Sequence, residues 1–230
     1  MKTEYSKSSG DITKESNDYL CRDRNILKRE QRLSVLLQDY SRREYCLLCA
    51  NPMDSENGFV HRKVEYVKCV ICGHVQTLCC LPEGYPYSID GKGFETIYPK
   101  LKKSEYISRR NRIYKPKLDW ILKALAENGI ESSKALQDKW MELGCGAGYF
   151  LHALQERGAK NISGVDASPE LVKIANEKLG ESISKCNSDD MATLILSSDA
   201  AIYVSFFVLE HLDNPQPVWE ALMSKPKGTH

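Results

Sequence analysis

The 230-residue chain contains no apolar run approaching the roughly 18 consecutive residues needed to cross a bilayer. Its first twenty residues, MKTEYSKSSGDITKESNDYL, have no apolar core of the kind a secretory signal requires. An excess of one charge is missing as well. Lys and Arg number 32 against 31 Asp and Glu, a net charge of +1, so no global field draws the chain to nucleic acid or to a membrane surface. No internal repeat or low-complexity tract is visible, which excludes solenoid and fibrous architectures. These absences leave the expectation of a cytoplasmic globular protein without membrane partners. A hydrophobic content of 42% and a charged content of 27% agree with it, and the length allows one ordinary core plus a small second module. Cysteine is the residue not in short supply: there are nine, many for a reducing compartment, so their spacing has to be accounted for.

The pattern along the chain predicts four parts. Residues 1–44 read as a polar tail followed by an amphipathic helix over 22–43, with Ile26, Leu33, Leu37 and Tyr40 at helical intervals. Residues 45–84 are cysteine-rich with short strand-like runs such as KVEYVKC. Residues 85–115 read as a linker that becomes helical. Residues 116–230 open with a helix, PKLDWILKALAENG, whose Pro116 sits where a missing N–H costs little and whose buried face is Leu118, Ile121, Leu122 and Leu125. From there the chain alternates. KWMEL, NISGVD, SISK and AAIYVSFFVL (200–209) read as strands. GYFLHALQERG, SPELVKIANEKLG and NPQPVWEALMSK read as helices, the second with Ser168 as N-cap and Gly180 past its end. Alternation of this kind, with strands apolar on both faces, predicts a parallel sheet covered by helices on both sides.

Within that alternation, KWMELGCGAGYFLHAL (139–154) places Gly144, Gly146 and Gly148 within five positions at a strand-to-helix turn. In an open parallel sheet the ligand lies beyond the carboxyl ends of the strands, where this turn falls. Gly144 permits the tight turn, and Gly146 and Gly148 let backbone approach a ligand. A dinucleotide fingerprint would carry its third glycine one residue later, where this chain has Tyr149. Asp166 closes the next strand, and a carboxylate there accepts hydrogen bonds from ribose hydroxyls. Glu142 lies on the first strand just before the turn. Beside a pyrophosphate it would be repulsive; beside an ammonium group it is attractive. A ligand with a ribose and an amino-acid ammonium but no phosphate is S-adenosylmethionine.

The cysteines give an independent signal. Cys46 and Cys49 form one C-x-x-C pair, and Cys69 and Cys72 another about twenty residues on. Two such turns joined by a hairpin make a closed tetrahedral site for structural Zn2+. A disulfide pairing is the alternative, disfavoured in a reducing compartment. His74 lies close enough in sequence to replace one cysteine. Cys79 and Cys80 lack a partner motif, and Cys21, Cys145 and Cys186 read as ordinary thiols.

Four stretches in this order, ELGCGAGYF, GVDAS, NSDDM and FFVLEHLDNP, resemble the class I S-adenosylmethionine-dependent methyltransferases over about residues 116–228. The resemblance implies an α/β, Rossmann-like parallel sheet, here preceded by a small N-terminal zinc ribbon. It also implies that Glu142, Gly144, Cys145, Gly146 and Gly148 surround the methionine portion and that Asp166 holds the ribose. Asp189 or Asp190 would take the adenine amino group, with Met191 against the ring. Glu210 and His211 resemble the Glu-His pair found after the fourth strand in many small-molecule methyltransferases, with His211 placed as general base. A ribbon, a Tyr-bearing connector and a methyltransferase domain resemble a bacterial arrangement acting on sugars or other small metabolites. There Tyr85, Tyr87, Tyr98 and Tyr106 would be candidates for covering the acceptor. Two alternatives stay open: a ribosomal RNA base methyltransferase, for which the basic run KLKKSEYISRRNRIYK (100–115) speaks, and a cofactor-binding scaffold without turnover. Since the family sheet has seven strands and four are countable here, the resemblance implies a domain truncated after its fourth strand, with weak or no turnover alone.

Overall fold

The structure is a computed structural model describing residues 41–53, 57–61, 63–80, 102–212, 214–226 and 228–229. The expected tail and amphipathic-helix stripe, Cys21, Tyr85, Tyr87 and Tyr98 lie outside the described residues. The chain divides into two compact units. Of the described residues, one holds 102–212 and 220–229, the other 41–80 and 214–219. Among the described residues no helix is long and apolar enough to cross a membrane.

The smaller unit is built on an antiparallel sheet of β1 (Gly58–His61), β2 (Val64–Lys68) and β3 (Val75–Thr77) in that order. Its register pairs Gly58 with Val67 and Tyr66 with Thr77. Val67 is fully buried, and the buried Gln76 is hydrogen-bonded at both ends of its amide. It accepts from Leu47 N at 2.8 Å and donates to Tyr45 O at 3.1 Å, which ties β3 to the Cys46–Cys49 turn. A buried amide left unmatched would be costly, so these two bonds fix the turn against the sheet.

In the larger unit helical backbone begins well before Pro116. Helix α1 (Lys103–Arg109) runs through a π turn over Arg110–Tyr114 into α2 (Lys115–Glu127). The expected buried face of α2 is present: Leu118 and Leu122 are buried, with Ile121 and Leu125 packed against the same core. A short helix α3 (Ser132–Ala135) presents the Ala135 carbonyl to the indole N–H of fully buried Trp140 at 2.7 Å, satisfying the donor of the largest core side chain.

The alternation follows as β4 (Trp140–Leu143), α4 (Tyr149–Glu156), β5 (Ile162–Asp166), α5 (Pro169–Leu179), β6 (Ile183–Lys185), α6 (Met191–Ser197), β7 (Ile202–Ser205) and α7 (Gln216–Met223). Ser168 caps α5 by accepting from Leu171 N at 3.3 Å, and Gly180 lies past its end, as the sequence predicts. Helix α6 has no counterpart among the expected elements, because MATLILS is too short to show a helical period. The four strands are all parallel in the order β6-β5-β4-β7. The chain steps outward from β4 to β5 to β6, then returns to the other side of β4. The strand order therefore reverses between β4 and β7, and open sheets of this kind bind ligands beyond the carboxyl ends of the strands at such a reversal.

One strand differs from expectation. A strand over 200–209 is predicted, but β7 stops at Ser205. Phe207 takes φ +59°, a left-handed conformation that breaks the extended run, and residues 209–211 form a 3-10 turn. The break lays Val208 directly on Gly144. A Cβ at Gly144 would lie 2.1 Å from Val208 Cγ2 and 3.0 Å from Cγ1, at a residue whose φ is +71°. Left-handed strain and overpacking each contribute, so Gly144→Ala should destabilise the unit by about 2–4 kcal/mol. Urea unfolding checks this: Gly144→Ala combined with Val208→Ala should recover the steric part and leave the backbone part. An unchanged midpoint in Gly144→Ala would contradict the packing described.

Candidate cofactor and metal sites

The three glycines of the turn serve different ends. Gly144 makes room for Val208. Gly148, at φ +75°, begins α4 and packs under α5; a Cβ there would lie 2.8 Å from Leu179 Cδ1 and 3.1 Å from Ala175 Cβ. Its smallness thus serves the packing of the turn against α5. Gly146, at φ +54°, is the one that faces open space, with nothing within 4 Å of the point a Cβ would occupy. Cys145 is buried, and burial pushes its thiol well above the usual range.

Asp166 ends β5 beside this turn. Its Oδ2 accepts from Gly146 N at 2.7 Å and its Oδ1 from Ser168 N at 3.0 Å. The carboxylate thereby joins two loops at the carboxyl ends of adjacent strands. Each oxygen keeps a further lone pair for a ligand hydroxyl.

Glu142 is the unusual group. Every residue of β4 is buried, and Glu142 is only 2% exposed. Among the described residues its Oε2 has no hydrogen-bond partner. Burial raises its carboxyl well above the usual carboxylate range, the nearby Lys117 ammonium partly offsets this, and Asp166 adds to it. Nothing in the sequence singles out Lys117. In the fold it is 8% exposed. Its Nζ stands 4.1 Å from the ring centre of Phe206, 4.5 Å from Phe207 and 5.1 Å from Tyr114.

A second set of aromatics packs on the turn from α1. Tyr149 stacks between Tyr106 at 4.3 Å and Tyr114 at 5.2 Å. The Tyr106 hydroxyl donates to Ala147 O, within the glycine turn, at 3.3 Å, and lies 3.3 Å from His152 Nδ1. Tyr106 is thus a buried residue that pins the turn. Behind it Arg110 meets His152 Nε2 at 3.0 Å and Glu156 at 2.8 Å, while Lys115 meets Glu156 at 2.9 Å. Two cations of the basic run at 100–115 are therefore engaged inside the unit.

Asp189 and Asp190 lie exposed on a 3-10 turn (Ser188–Asp190), followed by Met191, which is buried at the start of α6. Asp190, but not Asp189, lines a groove of about 400 Å³ with Lys185, Cys186 and Asn187. None of the glycine-turn residues lines that groove. Glu210 and His211 are exposed on the 3-10 turn Leu209–His211, whose His211 N–H donates to Val208 O at 2.8 Å. The contact of Val208 with Gly144 brings their loop to the glycine turn.

In the smaller unit the Sγ atoms of Cys46, Cys49, Cys69 and Cys72 all lie within 4.8 Å of one another. The pairs Cys46–Cys72 and Cys49–Cys69 are both 3.6 Å apart. A disulfide would bring sulfurs to about 2.05 Å. A tetrahedron of thiolates about 2.3 Å from zinc has edges of about 3.8 Å, and the four sulfurs fit that donor set. The two C-x-x-C turns are alike: Ala50 N donates to Cys46 O and Gly73 N to Cys69 O, each at 2.9 Å. Gly73 has φ +75° and Ala50 φ +55°, so the first turn makes the same left-handed bend without a glycine to mark it in the sequence. Asn51 donates its side-chain amide to Cys49 Sγ at 3.3 Å, and chiefly for that reason the Cys49 thiol is lowered to about 6. His74 is not among the four converging ligands; Cys79 and Cys80 also lie outside the cluster.

A four-stranded parallel sheet with a glycine turn, a buried acid before it and a second acid closing the neighbouring strand is an α/β domain of the Rossmann-like type. More specifically, residues 141–228 match the family described as "Methyltransferase domain". No curated protein matches the chain. Among solved structures it is similar to magnesium protoporphyrin IX methyltransferase from Synechocystis PCC 6803 with bound SAH, at 21% identity, covering 46% of this chain and 48% of that one, with a TM-score of 0.33. It is also similar to the methyltransferase domain of bacterial-CtHen1-C, at 21% identity over 48% of this chain and 59% of that one, TM-score 0.37. A third is the plantazolicin methyltransferase BpumL in complex with SAH, at 18% identity over 37% and 34%, TM-score 0.32. The chain spans about half the length, or less, of the first solved structures it matches.

The burial of Glu142 makes a prediction for the ligand-free protein. The folded chain retains this proton over a range in which the unfolded chain, near 4.5, has lost it. The corresponding stability is present below that value and is lost as pH rises toward the raised folded value. Urea midpoints of the native protein should therefore decline from pH 5 to 8 more steeply than those of Glu142→Gln, which cannot ionise. Parallel curves would show that Glu142 does not bury a titrating group.

Proposed function

We propose that the chain binds S-adenosylmethionine in the crevice at the ends of β4, β5 and β7 and transfers its methyl group to a small-molecule acceptor. A sugar or polysaccharide precursor is the class suggested by a ribbon joined to a methyltransferase domain. The observation that carries the reading is Glu142. A buried carboxyl group with an unpartnered oxygen, beside a turn whose Gly146 faces open space, is matched to a ligand whose ammonium group would favour its ionised form. Asp166 accepts from the ribose, and Asp189 or Asp190 takes the adenine amino group, with Met191 against the ring. When bound, the cofactor supplies an electrophilic methyl group on a sulfonium. The chain's part is to align the acceptor and remove a proton. His211, exposed at the rim on the loop that packs on Gly144, is the candidate base, and Glu210 the neighbour that orients it. Engagement of Arg110 and Lys115 by Glu156 favours a small acceptor over RNA, because these cations are spent within the unit. The four cysteines hold one zinc ion. With all four ligands supplied by the chain, no position remains for substrate, so its role is structural.

Calorimetry with S-adenosylmethionine and its demethylated product tests the cofactor. Binding is expected, and Asp166→Ala should cost about 2–4 kcal/mol of affinity, part of it from release of the Gly146 N–H. Affinity equal to the native protein would remove Asp166 from the site. In the same series His211→Gln should lower turnover by about 10²–10⁴-fold while the protein still binds cofactor; native turnover would exclude it as the base. Elemental analysis should find one zinc per chain, lost in Cys69→Ser. Chelation should unfold the smaller unit while the larger persists, since in so small a module the metal supplies most of the folding energy. Metal-free protein with an intact ribbon would refute this assignment.

A further inference from the structure

We propose that His152 is a positioning residue for the cofactor turn: held in one tautomer by Arg110, its imidazole directs the Tyr106 hydroxyl onto the Ala147 carbonyl. The inference rests on the reading of this turn as the S-adenosylmethionine site and adds to it a residue that acts through another. The direction of every hydrogen bond in the chain follows from donor chemistry. A guanidinium can only donate, so the 3.0 Å contact between Arg110 Nη1 and His152 Nε2 needs a lone pair on that nitrogen. A neutral imidazole carries one proton, which then sits on Nδ1. From there it is donated to the Tyr106 oxygen at 3.3 Å. That contact takes a lone pair of the hydroxyl and leaves its single hydrogen for Ala147 O, also at 3.3 Å. The relay therefore runs one way, from Arg110 through His152 and Tyr106 to the backbone between Gly146 and Gly148.

Tyr106, Arg110 and Ala147 are all buried, so these bonds are not readily exchanged for bonds to water. The guanidinium is fixed on its other side: Nη2 meets Glu156 Oε1 at 2.8 Å, and Nε donates to Asn111 Oδ1 at 3.3 Å. The Tyr106 ring is fixed too, stacked on Tyr149 and with Lys178 Nζ 4.7 Å from its centre. An amide side chain would accept from Arg110 equally well; what imidazole adds is titration. Protonation would place a second N–H on the ring, at Nε2, facing the Arg110 N–H, donor against donor. Arg110 from the π turn, Lys115 from α2 and Lys178 from α5 all oppose that added charge. Glu156, on the same helix α4, favours it from 4.0 Å but is already bound to Arg110 and Lys115. Burial, and then Arg110, hold the imidazole below its ordinary value of 6.5. A group lowered in this way supports its contacts fully above the ordinary value and loses them as pH falls below it, so the relay weakens in mild acid.

Two measurements test this. Long-range proton–nitrogen correlation spectra of the native chain, labelled with nitrogen-15 histidine at about pH 8, should show the His152 proton on Nδ1, the tautomer a free imidazole disfavours. The signal is recognised by its absence in His152→Gln or its shift in Tyr106→Phe. A proton on Nε2 would overturn the relay. Calorimetry with S-adenosylhomocysteine, the demethylated cofactor, then compares the native chain with both variants at about pH 8 and about pH 5.5. Loss of the directed hydrogen bond should weaken binding at the higher pH by about 3- to 10-fold in each variant. Between the two pH values the native chain should lose about 3- to 10-fold more affinity than either variant, since any share due to Glu142 and Asp166 is common to all three. Parallel pH dependence in the native chain and His152→Gln, or a Tyr106→Phe protein that binds as the native one does, would overturn the proposal and leave His152 a packing residue. If His152→Gln does not fold, the tautomer and Tyr106→Phe decide. A native chain that carries the Nδ1 proton but binds no S-adenosylhomocysteine would sink the cofactor reading and leave the relay standing, which separates the two failures.

Discussion

A carboxylate buried in the central strand is the constraint around which the larger unit is arranged. β4 lies between β5 and β7 and is buried along its whole length, so packing alone would place an aliphatic residue at each position. Glu142 costs desolvation there and leaves one oxygen unmatched. The sheet does not need it. Three further groups gather around the end of the strand that carries it. Gly146 has nothing beside its Cβ position, Asp166 binds the Gly146 N–H from the neighbouring strand, and the Lys117 ammonium partly offsets the cost of burying Glu142.

The turn itself is held from several sides at once. Asp166 binds the Gly146 N–H from β5, Val208 presses on Gly144 from the β7 loop, and Tyr106 donates to the Ala147 carbonyl from α1. A flexible glycine sequence is thus made into a fixed surface by contacts from three other segments. The Tyr106–Tyr149–Tyr114 stack gives the α1 contact its rigidity, and the π turn between α1 and α2 contributes Arg110 to the cluster behind it. π turns recur at functional sites because they change which residues a helix presents.

The smaller unit follows a different logic. Its sheet has three short strands, and Phe59, Val60, Val70, Ile71 and Val75 remain exposed, so little apolar area is buried within it. A module of this kind draws its stability from cross-links, and four converging thiols provide the place for one.

Much of this is legible in the sequence, and for stated physical reasons. Glycine spacing, the N-cap Ser168, the Pro169 start and the paired C-x-x-C turns are local signals: each depends on backbone geometry within a few residues. They suffice for the strand-helix alternation, the turn and the metal cluster. The short α6 escapes such reading because seven residues do not display a period. The true end of β7 escapes it because apolar composition does not reveal where φ turns positive at Phe207. The Ala50 bend is hidden since alanine gives no sign of a left-handed turn. Only the tertiary structure decided that Gly148 serves helix packing, that Arg110 is engaged internally, and that Lys117 is buried beside Glu142 under Phe206 and Phe207. Each of these depends on residues from separate elements, far apart in the chain, meeting in space. The sequence by itself determined which local elements form, because their free energies are set by near neighbours; the fold decided which charges lose water, because burial is a property of the assembled core.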